Sequence, residues 1–265
     1  MKWIVALLIV CAGPALAGQI DEATLDALPP ADVIVLGEVH DNPVHHLNQA
    51  RAVRALAPAA VVWEMLTPEQ AAQMPEDRSD PAAVAEALDW ESGGWPSFDL
   101  YAPILSAAGA ARHFGANVPR GEARLAYESG AAAAFGDEAA RYGLTQPLDA
   151  AQQSAREDEQ FAAHCEAMPR DLMAGLVEAQ RLRDAALARA VIAAHAQAGG
   201  PVVVITGSGH ARTDWGLPAT LAIAAPELGV LSVGQVESDP GAQAPWDLWI
   251  VTDPQPRPDP CGAFR

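Results

Sequence analysis

The sequence is poor in lysine, tyrosine and cysteine. Of 265 residues the only lysine is Lys2, the tyrosines are Tyr101, Tyr127 and Tyr142, and there are three cysteines. Sixteen basic residues face 34 acidic ones, a formal net charge of −18, and no basic run of five or more residues occurs. Such a chain is repelled by nucleic-acid backbones and by anionic membrane surfaces, so nucleic-acid binding through bulk electrostatics is excluded. No apolar stretch is long enough to remain in a bilayer as a permanent helix, which excludes stable membrane insertion. The absence of a Cys-x-x-Cys pair argues against thiol redox chemistry. No repeat of solenoid length is present.

Half the residues are apolar and 19% are charged, a balance and length that suit one folded domain. The chain opens with Lys2, the short apolar run Trp3 to Val10, and Ala15-Leu16-Ala17. This is the pattern of a signal peptide over residues 1–17, cleaved after Ala17, and it predicts export to the periplasm. Val10 stands before Cys11 where lipoprotein processing takes a small residue, which argues against a lipid anchor. Cleavage leaves Cys165 and Cys261. An even pair in an oxidising compartment reads as one disulfide, with two free thiols as the alternative. Residues 18–253 read as one domain and 254–265 as an irregular, proline-rich tail.

The periodicities predict an α/β fold: a mainly parallel sheet flanked by helices, with a helical insertion over about 67–112 and 121–198. Asp32 to Leu36 and Ala60 to Trp63 read as buried strands joined by a helix over 44–57, with Leu47, Ala50, Val53 and Leu56 on its inner face. That β-α-β unit implies a parallel pair. A further strand is expected at 113–117, a long helix over Arg170 to Ala198, and strands at 202–205, 230–233 and 248–251.

In parallel sheets ligands bind beyond the carboxyl ends of the strands, and the chemically active side chains fall there. Glu38 and His40 follow the first strand and share a face in extended backbone. Glu64 ends the second, Arg120 comes after the third, and His210 follows the fourth. These types suit general acid–base work or metal ligation. Three of the seven histidines, His40, His45 and His46, fall within seven residues; the plainer reading is a capped helix carrying solvated histidines. For Glu64 the plainer reading is a salt bridge to Arg120 or Arg183. Gly207-Ser-Gly-His210 lacks the full phosphate-loop pattern and reads as a turn presenting His210. Trp90, Trp95, Phe98 and Tyr101 form either core or a flat wall for a planar ligand.

The stretches Gly37-Glu-Val-His-Asp-Asn-Pro-Val-His-His46, Trp63-Glu-Met65, Gly94-Trp-Pro96 with Tyr101-Ala-Pro103, Asn117-Val-Pro-Arg120, Gln180-Arg-Leu-Arg-Asp184 and Gly207-Ser-Gly-His210 together resemble the ChaN-like family. These are bacterial haem-binding, iron-regulated proteins, grouped with the Tiki metalloproteases, the TraB/PrgY proteins and, by fold, the erythromycin esterases. The resemblance runs from about residue 30 to 235. It implies an α/β core with a helical subdomain, haem bound through a tyrosine, and a homodimer that stacks two haems. Tyr101 is the tyrosine that lies inside a matching motif.

Two functions follow, with a third as the bland alternative. The first is an exported haem-binding protein in haem or iron uptake, in which Tyr101, His45, His46 or His210 supplies the iron ligand and Arg120 and Arg183 meet the propionates. The second is a hydrolase resembling the Tiki and erythromycin-esterase branches. It would use Glu38, His40, Glu64, Arg120 and His210, with Glu38, His40 and His210 as ligands of zinc or manganese. The third is a binding or scaffold protein whose polar cleft is a remnant.

Overall fold

The computed structural model describes residues 17–259 and 261–262; residues 1–16 of the expected signal peptide lie outside the described residues. Val33–Glu38, Ala60–Trp63 and Val202–Gly207 are buried at every position. Strands covered on both faces are apolar without alternation, and they assemble in parallel with helices on each side. The sheet comprises β1 (Gly18–Gln19), β2 (Val33–Glu38), β3 (Ala60–Trp63), β4 (Arg112–Gly115), β5 (Val202–Gly207), β6 (Val230–Val236) and β7 (Leu248–Val251). Their order is β1-β7-β6-β2-β5-β3-β4, and every pairing is parallel.

One expectation fails here. β2 and β3 do not pair with each other, because β5 lies between them: Leu36 and Trp63 both register with Ile205. Val202 to Ile205 is an unbroken β-branched run with every residue wholly buried, so it lies inside the sheet between β2 and β3, and the crossover from β2 steps over it.

Alternate residues of each strand feed two cores. Ile34, Leu36, Val61, Trp63, Val203 and Ile205 face one, while Val33, Val35, Ala60, Val62, Val202 and Val204 face the other. The first core is covered by α1 (Pro43–Leu56), α2 (Pro68–Ala72), α3 (Pro81–Ala87), α4 (Trp90–Gly93) and α5 (Ala102–Ala107). The second is covered by α6 (Arg120–Ser129), α7 (Ala131–Phe135), α9 (Met173–Ala198) and α10 (Leu217–Ala224). The two parts of the expected insertion thus cover opposite faces of the sheet. The exception is α8 (Ala150–Ala163), which has no buried residue and packs along α9.

Asn42 caps α1, its side chain accepting from the Val44 amide at 3.0 Å, with Pro43 in the first turn. The inner face of α1 differs from expectation. Leu47 is 58% exposed, while His45, His46, Asn48 and Gln49 are buried. Each of these polar side chains has a partner: Gln49 donates to the Leu36 carbonyl at 2.9 Å and Asn48 to Gln235 Oε1 at 3.0 Å. A buried polar face costs little when its hydrogen bonds are made, and a hydrophobic periodicity cannot reveal it.

Gly115 closes β4 where the backbone of Leu66 and Thr67 crosses; a Cβ there would overlap both carbonyl oxygens. Cys165 and Cys261 are joined, 96 residues apart, tying the tail to the turn after α8. The tail is also clamped by Arg257, which donates to Asp41 at 2.7 Å and to Glu237 at 2.8 Å. Among the described residues no helix is long and apolar enough to cross a membrane.

Candidate functional site

The carboxyl ends of β2, β3 and β5 bring Glu38, His40, Glu64 and His210 together, as the sheet rule requires. Glu38 ends β2 with a fully buried side chain. Its Oε1 accepts from the Tyr101 hydroxyl at 3.0 Å and lies 2.7 Å from His40 Nδ1. Its Oε2 faces His46 Nδ1 at 3.3 Å. Gly207 allows this closeness, since a Cβ there would come within 3.0 Å of His40 Nε2. Burial, the largest influence on His40, opposes its protonation. The hydrogen bond to Glu38 and the charges of Glu64, Glu38 and Asp41 outweigh it, and its pKa rises to about 9.

Glu64 sits between the two imidazoles. Its Oε2 accepts from the Thr206 hydroxyl at 2.6 Å and the Gly207 amide at 2.8 Å, and its Oε1 is 3.6 Å from His210 Nε2. The expected salt bridge to Arg120 or Arg183 is not formed. Burial favours the neutral acid, but His210, His40 and these two donors hold the carboxyl below its ordinary range. His210 Nδ1 lies 2.7 Å from Asp184 Oδ1. Against burial, Glu64 and Asp184 raise the His210 pKa.

Tyr101, expected as the haem ligand, is wholly buried and spends its hydroxyl as a donor to Glu38. Burial, then the neighbouring Glu38 and Glu64, push its phenol well above the ordinary value, away from the phenolate an iron ligand needs. His45 and His46 are also buried. His45 Nδ1 accepts from the Val39 amide at 2.8 Å, and its Nε2 pairs with the Thr252 hydroxyl at 2.8 Å. His46 Nε2 donates to the His40 carbonyl at 2.9 Å. These three side chains brace the turn after β2 from behind and offer no free face to a ligand; the solvated-histidine alternative fails for His45 and His46 as well.

His40 is different: its side chain is 33% exposed against 12% for His210, and its ring lies 5.0 Å from that of Trp95. Phe98 and Tyr101 both pack on Trp90 in the core, so Trp95 is the member of that aromatic group beside His40. Arg120 is exposed at the start of α6 with no ion pair among the described residues, its guanidinium near Gly94. Among the described residues Arg183 makes only a 3.5 Å contact to Gln180 Oε1, and its charge reaches His210. Among the described residues no three His, Cys, Asp or Glu side chains meet in an arrangement able to hold a metal ion.

Asp184 closes one of the stretches quoted from the sequence but was given no role there. The signal lay in its setting, an acid between Leu182 and Ala185 on the buried stripe of α9, where a carboxylate persists only with a partner. Thr206 carried no signal, because a threonine is ordinary in a strand.

Histidine titration gives the fold a definite pH response. Burial, with the charges of His46 and Arg257, lowers His45 to about 4. Burial and Arg78 do the same for His113. Groups depressed from 6.5 stabilise the fold fully above pH 6.5 and lose that contribution as the pH falls toward 4. His40, raised to about 9, contributes fully below pH 6.5 and loses its part as the pH rises through 9. Urea unfolding followed by tryptophan fluorescence should therefore give maximal stability near pH 6.5. His45→Gln should flatten the acid limb by on the order of 3 kcal/mol; an unchanged limb would refute the assignment.

A parallel α/β sheet with paired carboxylates and imidazoles beyond its strand ends defines the class of protein. The particular family is known as well. Over residues 24–221 the chain matches the family described as haem-binding uptake, Tiki superfamily, ChaN, and it belongs to that family. It is similar to the structure described as cofacial heme binding to ChaN of Campylobacter jejuni, at 20% identity and a TM-score of 0.63, covering 85% of this chain and 88% of that one. The type III effector HopBA1 matches at 14% identity and a TM-score of 0.45, over 84% and 88% of the two chains, a likeness too distant to bear on function. No curated protein matches.

Proposed function

We propose that this protein is an exported, periplasmic haem-binding protein of haem or iron uptake. Membership of the haem-binding uptake family supports the reading, and one observation carries it to this chain's residues. Among the described residues Arg120 and Arg183 have no ion pair; the Arg120 guanidinium lies near Gly94, next to Trp95, whose ring faces the part-exposed His40, and the charge of Arg183 reaches His210. Two free guanidiniums match the two propionates of haem, since arginine binds carboxylate through paired hydrogen bonds. A tetrapyrrole supplies four ligands to its own iron, so the protein need offer only one or two. His40 is the donor with an open face. Its pKa of about 9 leaves it protonated at neutral pH, so iron would displace the Nε2 proton while Nδ1 stays on Glu38, and Tyr101 supports it through Glu38. The disulfide accords with an oxidising compartment.

Ferric haem titrated into residues 18–265 should give a saturable Soret shift. Arg120→Ala and Arg183→Ala should each weaken binding by about tenfold. His40→Ala should change the spectrum, whereas Tyr101→Phe should leave it intact. Loss of the band in Tyr101→Phe alone would overturn the His40 assignment, and a featureless titration would sink the haem reading altogether. The cofacial arrangement named for the Campylobacter protein would here require two copies. Gel filtration should then show a dimer with haem and a smaller species without it.

The second reading, hydrolysis, has one observation in its favour: Asp184 holds His210 Nδ1 while Nε2 faces Glu64, an orienting pattern suited to acid–base work. Ester or peptide turnover abolished by His210→Ala would establish it.

A further inference from the structure

A pocket between α8, α9 and the loop after β5 takes no part in the haem reading above, although His210 and Asp184 of the second reading line it. Its volume is about 100 Å³, and Arg156, Gln180, Gly209, His210 and Trp215 are among its lining residues. Arg156 is the unusual member. Its guanidinium lies over the Trp215 ring, 5.4 Å from the centroid. One NH₂ donates to Gln152 Oε1 at 3.0 Å, and its Nε is buried with no hydrogen-bond partner among the described residues.

The nearby carboxylates are already taken. Glu159 and Asp214 pair with Arg212 at 3.1 and 2.7 Å, and Asp184 pairs with His210 at 2.7 Å. Among the described residues Arg156 has no ion pair. Burial, offset only in part by Asp184, draws its pKa below the ordinary value. A buried donor left unpaired is costly, and an anion would satisfy it.

We propose that this pocket is a carboxylate-binding site in which Arg156, helped by the Gln180 amide, holds the carboxylate of a ligand beside His210. The planar guanidinium fork matches a carboxylate or a phosphate. Three neighbouring acids, Glu159, Asp184 and Asp214, disfavour a dianion, which selects the monoanionic carboxylate. The volume is well below the roughly 300–1,000 Å³ that encloses a whole drug-sized ligand, so a small carboxylate, or the carboxylate end of a larger molecule, enters. Either a free small acid or a haem propionate fits this chemistry, the propionate then taking Arg156 in place of Arg120 or Arg183.

Sodium propanoate, titrated against sodium chloride at constant ionic strength, tests the site in the protein without haem. Amide and indole NMR signals of Gly209 and Trp215 should shift saturably, with an affinity on the order of millimolar. Arg156→Gln should weaken this by about tenfold, and Arg156→Lys should restore part of it, keeping the charge but not the fork. Shifts that do not saturate or that chloride reproduces would overturn the site, as would equal affinity in a folded Arg156→Gln. The shift map of the unmodified protein decides the matter even if that variant does not fold.

Ferric haem and its dimethyl ester separate the two sources. If Arg156→Gln weakens haem but not the ester, the occupant is a propionate. If it weakens propanoate but leaves haem unchanged, the occupant is a free acid. The propanoate arm contains no haem, so failure of the haem reading leaves it standing.

Discussion

Glu38→Ala should destabilise the fold by on the order of 3–5 kcal/mol, the cost of removing one partner from a buried charge-bearing network. Glu38 is the single acceptor that the Tyr101 hydroxyl and His40 Nδ1 share, and the group that His46 Nδ1 faces. Its loss leaves the tyrosine hydroxyl orphaned in the core and opens a void at the end of β2. Urea unfolding at pH 7 measures the change. Glu38→Gln separates charge from shape. It retains an acceptor for Tyr101 but removes the anion, so the His40 pKa, followed by NMR, should fall from about 9 toward the ordinary 6.5. A His40 titration unchanged in Glu38→Gln would mean that Glu64, not Glu38, holds the proton on His40. A stability loss below about 1 kcal/mol in Glu38→Ala would mean that water replaces the carboxylate at little cost.

Removing the disulfide should have an effect of similar size. A cross-link spanning 96 residues restricts the unfolded chain, and a loop of that order corresponds to about 4–5 kcal/mol in the chain-entropy account. The double variant Cys165→Ala/Cys261→Ala should lower the thermal midpoint by roughly 10 °C, given a few degrees per kcal/mol for a chain of this size. Arg257→Ala should cost less, because its pairs with Asp41 and Glu237 lie near the surface and such pairs contribute little. If the double variant and Arg257→Ala lower the midpoint equally, the cross-link serves only to hold the tail down. Reduction in the unmodified protein should reproduce the double variant.

Much of the site was legible because of where its residues fall in the chain. Glu38, Glu64 and His210 each stand at or just beyond an apolar run, and a parallel sheet gathers such positions at one edge. The roles were less legible. Tyr101 lies in a matching motif yet points inward, because Trp90 and His46 pack against it in the core. His45 and His46 read as iron ligands or as solvated histidines but are buried, because the inner face of α1 is polar and hydrogen-bonded. Arg156 and Asp184 belong to helices separated by a long turn, and nothing local relates either to His210.

The sequence by itself determined the class of fold, the buried central strands and the edge where charged side chains collect, because burial on both faces leaves an apolar run that needs no context to recognise; the two-residue β1 left no such run. Only the tertiary structure decided which strands are neighbours and which histidine keeps an open face. It also decided which arginines lack a carboxylate. Those depend on pairings between residues far apart in the chain, where the hydrogen-bond and charge balance of a buried group is settled by whatever the fold brings against it.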